Sequence, residues 1–176
     1  MNTADYLVEV LIEHGVTDVF GYAGGCIVPF MDALKDRDEI EVHVCYNEQG
    51  CAFAANGYAR VTGKLGVYFT TSGPGAVNAI GGLADAWFDS VPMLAICGNV
   101  STSEMKGESG IRQKGFQEMD IVSMVDGITK SAIVINDTQN LREDITELIN
   151  LANDKRKGGV LIDFPYDIQK ATIACR

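Results

Sequence analysis

Glu48 stands where an apolar run, Val42-His43-Val44-Cys45-Tyr46, gives way to the Ala-rich, almost uncharged segment over 50–59. If the run is a buried strand and the segment a buried helix, a carboxylate sits at a strand's carboxyl end and a helix's amino end. Open α/β sheets place ligands at such junctions. Cys51, Ala52, Phe53, Ala54 and Ala55 offer little polar surface around it, and a carboxyl group so placed can share or relay a proton. The plainer reading is a cap, because an acid near a helix amino terminus is stabilised by the helix dipole.

A second junction follows, in which Val67-Tyr68-Phe69-Thr70 runs into Thr71-Ser72-Gly73-Pro74-Gly75 and then an apolar helix. Glycines there let backbone N–H groups approach an anion at the helix's positive end. The segment lacks the Lys-Ser/Thr of a P-loop and the three-glycine spacing of a dinucleotide fingerprint, and Pro74 removes a donor. Phosphate cradle and plain strand-to-helix turn both stay open on these residues. His14 and His43 have no Ser, Cys or metal-spaced carboxylate partner in sequence and read as structural. Asp85 and Asp89, four apart beside Trp87 and Phe88, read as the polar edge of an amphipathic helix.

The elements that must position these residues alternate along the chain. Ala4, Leu7, Val8, Leu11 and Ile12 repeat at helical spacing behind the possible caps Asn2 and Thr3, with Gly15 where a left-handed C-cap belongs. The pattern then predicts a strand over 16–22, a helix over about 28–34, a strand over 40–46, a helix over 49–62, a strand over 66–71, a helix over 75–88 and a strand over 92–97. The stretch 98–115 is rich in Gly, Ser, Glu and Lys and reads as a surface loop, open to motion. A short helical piece near 120–125, a strand over 131–135, a helix with the stripe Leu141, Ile145, Leu148, Ile149 and Ala152, and a strand over 160–164 complete the series. The tail after Pro165 reads as an exit from the domain. Repeated strand-helix units with apolar strands predict an α/β fold: a mostly parallel sheet of about six strands with helices on both faces.

With 47% hydrophobic and 22% charged residues, 176 residues suffice for one domain, 1–176, with a sizeable core. The net charge of −10, with Lys155-Arg156-Lys157 the one basic cluster, argues against nucleic acid or an anionic membrane as partner. Five cysteines without a C-x-x-C pair argue against a disulfide framework or zinc cage, and four of them, in apolar surroundings, read as buried reduced thiols. No secretory pattern and no eighteen-residue apolar span stands out, so the expectation is a cytoplasmic protein.

Six segments in order add a resemblance: Gly21-Tyr22-Ala23-Gly24-Gly25, Asn47-Glu48-Gln49-Gly50, Asn56-Gly57-Tyr58-Ala59-Arg60-Val61-Thr62-Gly63-Lys64, Thr71-Ser72-Gly73-Pro74-Gly75-Ala76-Val77-Asn78, Asp89-Ser90-Val91-Pro92-Met93 and Gly115-Phe116-Gln117-Glu118-Met119-Asp120. Together they resemble the amino-terminal pyrimidine-binding domain of thiamine-diphosphate enzymes, and within that superfamily the acetolactate synthase large subunit. The resemblance implies that Glu48 hydrogen-bonds the cofactor's aminopyrimidine ring and promotes the imino tautomer that removes the thiazolium proton. A 2-oxo acid is then decarboxylated and its two-carbon remnant joined to an acceptor carbonyl. It further implies that Gly24 and Gly25 lie beside the reacting centre, that Ser72, Gly73, Pro74, Gly75 and Asn78 pack near the pyrimidine end, and that Phe116 and Gln117 approach the substrate.

Departures from the family pattern bear on substrate choice. Synthases of this kind commonly carry Tyr-Pro-Gly-Gly and Arg-His-Glu where this chain has Tyr22-Ala23-Gly24-Gly25 and Tyr46-Asn47-Glu48, and the loop over 104–114 also differs. The superfamily's Gly-Asp-Gly and Asn-Asn ligands for diphosphate and Mg²⁺ are not in this sequence, nor is the middle domain that in several members holds FAD. The resemblance therefore implies that the diphosphate-binding domain of a second subunit, in a homo-oligomer, completes the active unit. Two alternatives stand beside it: the small subunit of a two-chain sulfopyruvate or phosphonopyruvate decarboxylase, and a non-catalytic binding module.

Overall fold

The apolar runs become one six-stranded parallel sheet in the computed structural model, which describes residues 1–35 and 37–173. In chain order the strands are β1 (Asp18–Gly21), β2 (Glu41–Val44), β3 (Gly66–Thr70), β4 (Met93–Asn99), β5 (Ser131–Val134) and β6 (Gly159–Pro165), and across the sheet they lie 2-1-3-4-6-5. Around them are α1 (Thr3–Glu13), α2 (Val28–Leu34), α3 (Glu48–Thr62), α4 (Pro74–Asp89), α5 (Ile121–Val125), α6 (Leu141–Asn153) and α7 (Tyr166–Lys170). Because β2 and β3 flank β1 on opposite sides, the chain reverses its direction of travel across the sheet there. Such a switch point opens a crevice at the strands' carboxyl ends.

Strand pleating splits the core into two layers. Val67, Phe69, Leu94, Ile96, Val160, Ile162 and Phe164 pack with α1, α2 and α6, while Tyr68, Met93, Ala95, Cys97 and Leu161 pack with α3 and α4. The second layer is built from small side chains: Ala52, Ala55, Ala59, Ala76, Ala79 and Ala86 are all buried. Small residues let backbones approach. A Cβ on Gly66 would stand 2.3 Å from the Ala55 carbonyl oxygen, and one on Gly82 2.6 Å from Ala52 Cβ and 2.9 Å from its carbonyl carbon.

Far from its N-terminus, α3 is tied to α4 by polar contacts. Arg60 donates from Nη2 to Asp85 at 2.8 Å and Asp89 at 2.7 Å, and from Nε to Asn56 Oδ1 at 2.6 Å. Asn56, itself buried, donates to Asp85 at 3.1 Å and to the Gly82 carbonyl at 3.3 Å. The Asp85 and Asp89 edge is thus an ion-pair network, and the Asn56-to-Lys64 motif is a device for helix packing that ends in the left-handed cap Gly63 (φ 74°).

Four expectations need correction. β2 is an exposed edge strand: Val44 is 74% and Tyr46 99% accessible, since among the described residues β2 pairs with β1 alone. The loop over 98–115 starts later and is held down: Gly98 and Asn99 belong to β4, the Asp167 carboxylate accepts from Thr102 N (2.9 Å) and Oγ1 (2.5 Å), and buried Glu118 accepts from Lys106 N (2.5 Å) and Lys114 N (2.8 Å). The tail returns instead of leaving: α7 buries Gln169, and Asn2 and Thr172 form an antiparallel bridge. Of the cysteines, Cys51 and Cys97 are buried, Cys26 and Cys45 only half-buried, and Cys175 lies outside the described residues.

Asn2 caps α1 through a reciprocal box with Asp5, and Gly15 is left-handed, as the sequence predicts. Among the described residues no helix is long and apolar enough to cross a membrane. The close α3–α4 contact has a direct test. Gly82→Ala is expected to cost about 1–3 kcal/mol through overpacking, whereas at Gly81 the nearest atom is 3.9 Å away and Gly81→Ala is expected to be neutral or to stabilise by up to about 1 kcal/mol. Equal urea midpoints for the two variants would refute the packing argument.

Candidate functional site

Three loops leave the carboxyl ends of β1, β2 and β3 and meet at the switch point. From β2 comes Asn47, the N-cap of α3, whose side chain accepts from Gly50 N at 2.7 Å and so begins the helix at Glu48. Glu48 is half-buried in that first turn, where the helix dipole favours an acid. From β3 comes the turn that starts α4. There Asn78 Nδ2 donates to Glu48 Oε2 at 3.2 Å, and a Cβ placed on Gly75 would stand 3.4 Å from Glu48 Oε1. From β1 comes Gly24, whose missing Cβ would fall 2.3 Å from Thr71 Cβ.

Thr71 is the hub that sequence reasoning missed. Its hydroxyl accepts from Cys26 N at 3.2 Å, and its methyl lies 2.8 Å from the position a Gly75 Cβ would take. A β-branched residue directly after a strand at a switch point was the available signal. Ser72 is buried under the turn, Pro74 opens α4, and Gly25 faces open space in a short 3₁₀ turn, Gly25–Ile27. The structure therefore gathers Gly24, Glu48, Gly75 and Asn78 around Thr71. Glu48 is less dry than its apolar sequence neighbours suggest, since Asn78 is polar and the carboxylate is only half-buried.

The glycine turn keeps part of its backbone for itself: Gly75 N donates to Ser72 O at 3.2 Å and Val77 N to Gly73 O at 3.0 Å, and Pro74 has no N–H to offer. The space beside Gly73 (φ 56°) is filled by the Gln117 carbonyl oxygen, 2.3 Å from where a Cβ would be. Gln117 is itself left-handed (φ 58°), and neighbouring Phe116 is 80% accessible. The loop that carries both is thus seated on the glycine turn.

The sheet also assembles a cluster that sequence spacing hid. Register pairs Asp18 with Glu41 and Phe20 with His43, and the ligand atoms of Asp18, Glu41 and His43 lie within 4.8 Å of one another. His43 Nε2 is 2.8 Å from Asp18 Oδ1, and its ring stacks on Phe20 at 4.7 Å. Burial works against the Asp18 carboxylate, but hydrogen bonds from His43, Thr17 and Tyr58 outweigh it and hold its pKa low. His43 is accounted for by this pairing. His14 Nδ1 lies 2.8 Å from the Val10 carbonyl in the last turn of α1.

A second carboxylate escaped sequence reasoning. Asp163 on β6 is buried; Asn99 Nδ2 donates to Oδ2 at 2.8 Å, and Oδ1 has no hydrogen-bond partner among the described residues. Burial pushes its pKa up to about 7 against the hydrogen bond from Asn99, with Asp120 adding to the rise. Asn99 also reaches the Met119 carbonyl at 3.4 Å, so this acid anchors the loop that seats Gln117.

A parallel sheet whose switch-point loops converge on a carboxylate at a helix amino end defines a ligand-binding α/β domain. The match to a family model makes it specific: residues 1–124 fit "thiamine pyrophosphate enzyme, N-terminal TPP binding domain", and the chain belongs to that family. Over nearly its whole length it is also similar to acetolactate synthases. It is 44% identical over 172 residues to the acetolactate synthase isozyme 2 large subunit of Escherichia coli (strain K12), covering 98% of this chain and 30% of that protein. It is 44% identical over 167 residues to the chloroplastic acetolactate synthase 1 of Oryza sativa subsp. japonica, covering 95% and 25%. For the acetolactate synthase of Arthrospira platensis the identity is 42% over 170 residues, covering 95% and 28%. The chain thus spans between a quarter and a third of the length of these relatives.

The pKa of Asp163 gives a pH test. Its folded value of about 7 lies above the 3.8 of an exposed aspartate, so the folded state holds the proton more tightly than the unfolded one. The resulting stability is fully present below about pH 4 and is lost as pH rises through about 7. Asp163→Asn is expected to exceed the native protein in stability by on the order of 1–4 kcal/mol at alkaline pH, with the advantage vanishing in mild acid. Urea midpoints across that range check it; a difference independent of pH contradicts the assignment.

Proposed function

We propose that this chain is the pyrimidine-binding half of a thiamine-diphosphate enzyme that acts on 2-oxo acids in the manner of acetolactate synthase, with Glu48 as the residue that activates the cofactor. One observation carries the reading. The Glu48 carboxylate projects from the start of α3 with Oε2 held by Asn78 and Oε1 facing the side-chain-free Gly75. The residues fit the aminopyrimidine end of thiamine diphosphate. A flat ring needs open space without side chains, which Gly25 faces, and a carboxylate to exchange a proton with a ring nitrogen.

When bound, the cofactor supplies the electron sink that amino-acid side chains lack. Glu48 holds and passes a proton at Oε1, while Asn78 fixes the direction in which that oxygen points. Ser72, Gly73 and Pro74 form the wall behind it. Phe116 and Gln117, on the loop anchored by Asn99 and Glu118, stand on the substrate side. Diphosphate and Mg²⁺, and FAD if it is used, are assigned to parts outside this chain, because the Gly-Asp-Gly and Asn-Asn ligands are not in this sequence.

The diphosphate-binding domain of a second subunit would face this surface. Exposed Tyr46 and Phe53, at the end of β2 and on α3, supply apolar area for the contact. In the full enzyme, supplied with thiamine diphosphate and Mg²⁺, Glu48→Gln is expected to lower turnover by about 10²–10⁴-fold with the melting temperature and secondary structure preserved. Turnover at the native level in that variant would sink the proposal.

A further inference from the structure

We propose that Asp18, Glu41 and His43 form a binding site for a divalent transition-metal cation of the Zn²⁺ type, at the starts of β1 and β2. The parallel register builds it. Asp18 lies opposite Glu41 and Phe20 opposite His43, and side chains two apart along a strand share a face, so the three meet on one side of the sheet edge. Their ligand atoms all lie within 4.8 Å of one another, with His43 Nε2 2.8 Å from Asp18 Oδ1. Two ligands of one ion, each bonded at about 2.0–2.2 Å, stand roughly 3–4 Å apart. The histidine and aspartate are already close to that spacing, and Glu41, exposed on the edge strand, is free to swing in and close the set.

Acidic side chains alone would not make a site in a protein of net charge −10; the imidazole and the support behind two of the ligands do. The His43 ring is stacked on Phe20, with 4.7 Å between centroids and 18° between planes, and Tyr58 packs on the same Phe20 ring at 5.8 Å. Thr17 Oγ1 donates to Asp18 Oδ2 at 2.7 Å, which fixes the carboxylate and leaves Oδ1 to the ion. Thr17 in turn meets Tyr58 Oη at 3.2 Å, and Lys64 stops at Thr17, its Nζ 3.3 Å from Oγ1. Outer hydrogen bonds of this kind orient the ligands of metal centres. One imidazole nitrogen with two carboxylate oxygens suits Zn²⁺ and its first-row neighbours, whereas Mg²⁺ and Ca²⁺ favour oxygen alone.

On binding, the ion takes the place of the hydrogen bond between His43 and Asp18, and a proton on Nε2 passes to Nδ1 or to water. Water fills the positions the three side chains leave open. The ion then ties the first residue of the edge strand β2 to the first residue of β1, the strand on which β2 depends for its pairing. The proposal is independent of the function assigned to Glu48.

The test is calorimetric titration of the full protein, freed of metal and with its thiols reduced, with Zn²⁺ in the presence of excess Mg²⁺. The native protein is expected to bind one Zn²⁺ per chain that His43→Gln and Glu41→Gln each weaken at least tenfold, while His14→Gln and Cys45→Ser leave it unchanged. Glu41→Gln, at an exposed position, serves if His43→Gln does not fold. Saturating Zn²⁺ is expected to raise the melting temperature of the native protein by several degrees and that of Glu41→Gln by less. With Co²⁺ as an optical probe, the His43-dependent signal should consist of visible ligand-field bands without a thiolate charge-transfer band. Absence of saturable Zn²⁺ binding, binding equal in the native protein and both ligand variants, displacement by Mg²⁺, or a thiolate band in the His43-dependent signal each overturns the proposal.

Discussion

The contact of α3 with β3 and α4 governs everything around Glu48. Two absent side chains make it possible, Gly66 beneath Ala55 and Gly82 against Ala52. At ordinary helix spacing the α3 N-terminus would stand farther from the start of α4, and Asn78 would no longer reach the carboxylate. The alanine layer contributes little apolar area per residue, so close approach and dispersion must hold it together. Arg60 closes the same helix pair at its other end, about 18 Å along the axis at 1.5 Å per residue. Fixed at both ends, α3 behaves as a rigid arm, and the direction of Glu48 follows from the whole helix more than from its first turn.

The parallel sheet and its helices were legible because burial on both faces leaves an apolar run for each strand and a stripe for each helix. Helix α2 and the cap Asn2 fall where spacing and side-chain chemistry place them. β2 was misread for a physical reason: Val42 and Val44 look like core residues, yet the strand order puts them at an edge. Periodicity reports that a surface is apolar, not what covers it.

The site divides in the same way. Glu48 and the turn over 72–75 could be picked out because residue types change abruptly at a strand-to-helix junction. Their contact with Thr71, the seating of Gln117 on Gly73 and the pairing of His43 with Asp18 depend on strand order and register, which local sequence does not encode. Asp163 was hidden by its own surroundings, since a single acid within Val160-Leu161-Ile162-Asp163-Phe164 reads as an interruption of a strand. In the fold it is a neutralisable post beneath the loop from Asn99 to Met119.

The Asn2–Thr172 bridge brings a temporal constraint with it. Thr3 donates from both N and Oγ1 to Ala171 O at 2.9 Å, a contact between residues 168 apart in sequence, and α1 packs on α6 and α7 as well as on α2. α1 is thus made before the neighbours it needs, and is among the last elements of the domain to find them. Until the far end of the domain has left the ribosome, Leu7, Val8 and Leu11 have only part of their cover, and closing so long a loop is slow. Nascent chains should accordingly be most in need of a chaperone at α1, even though a reciprocal capping box starts that helix.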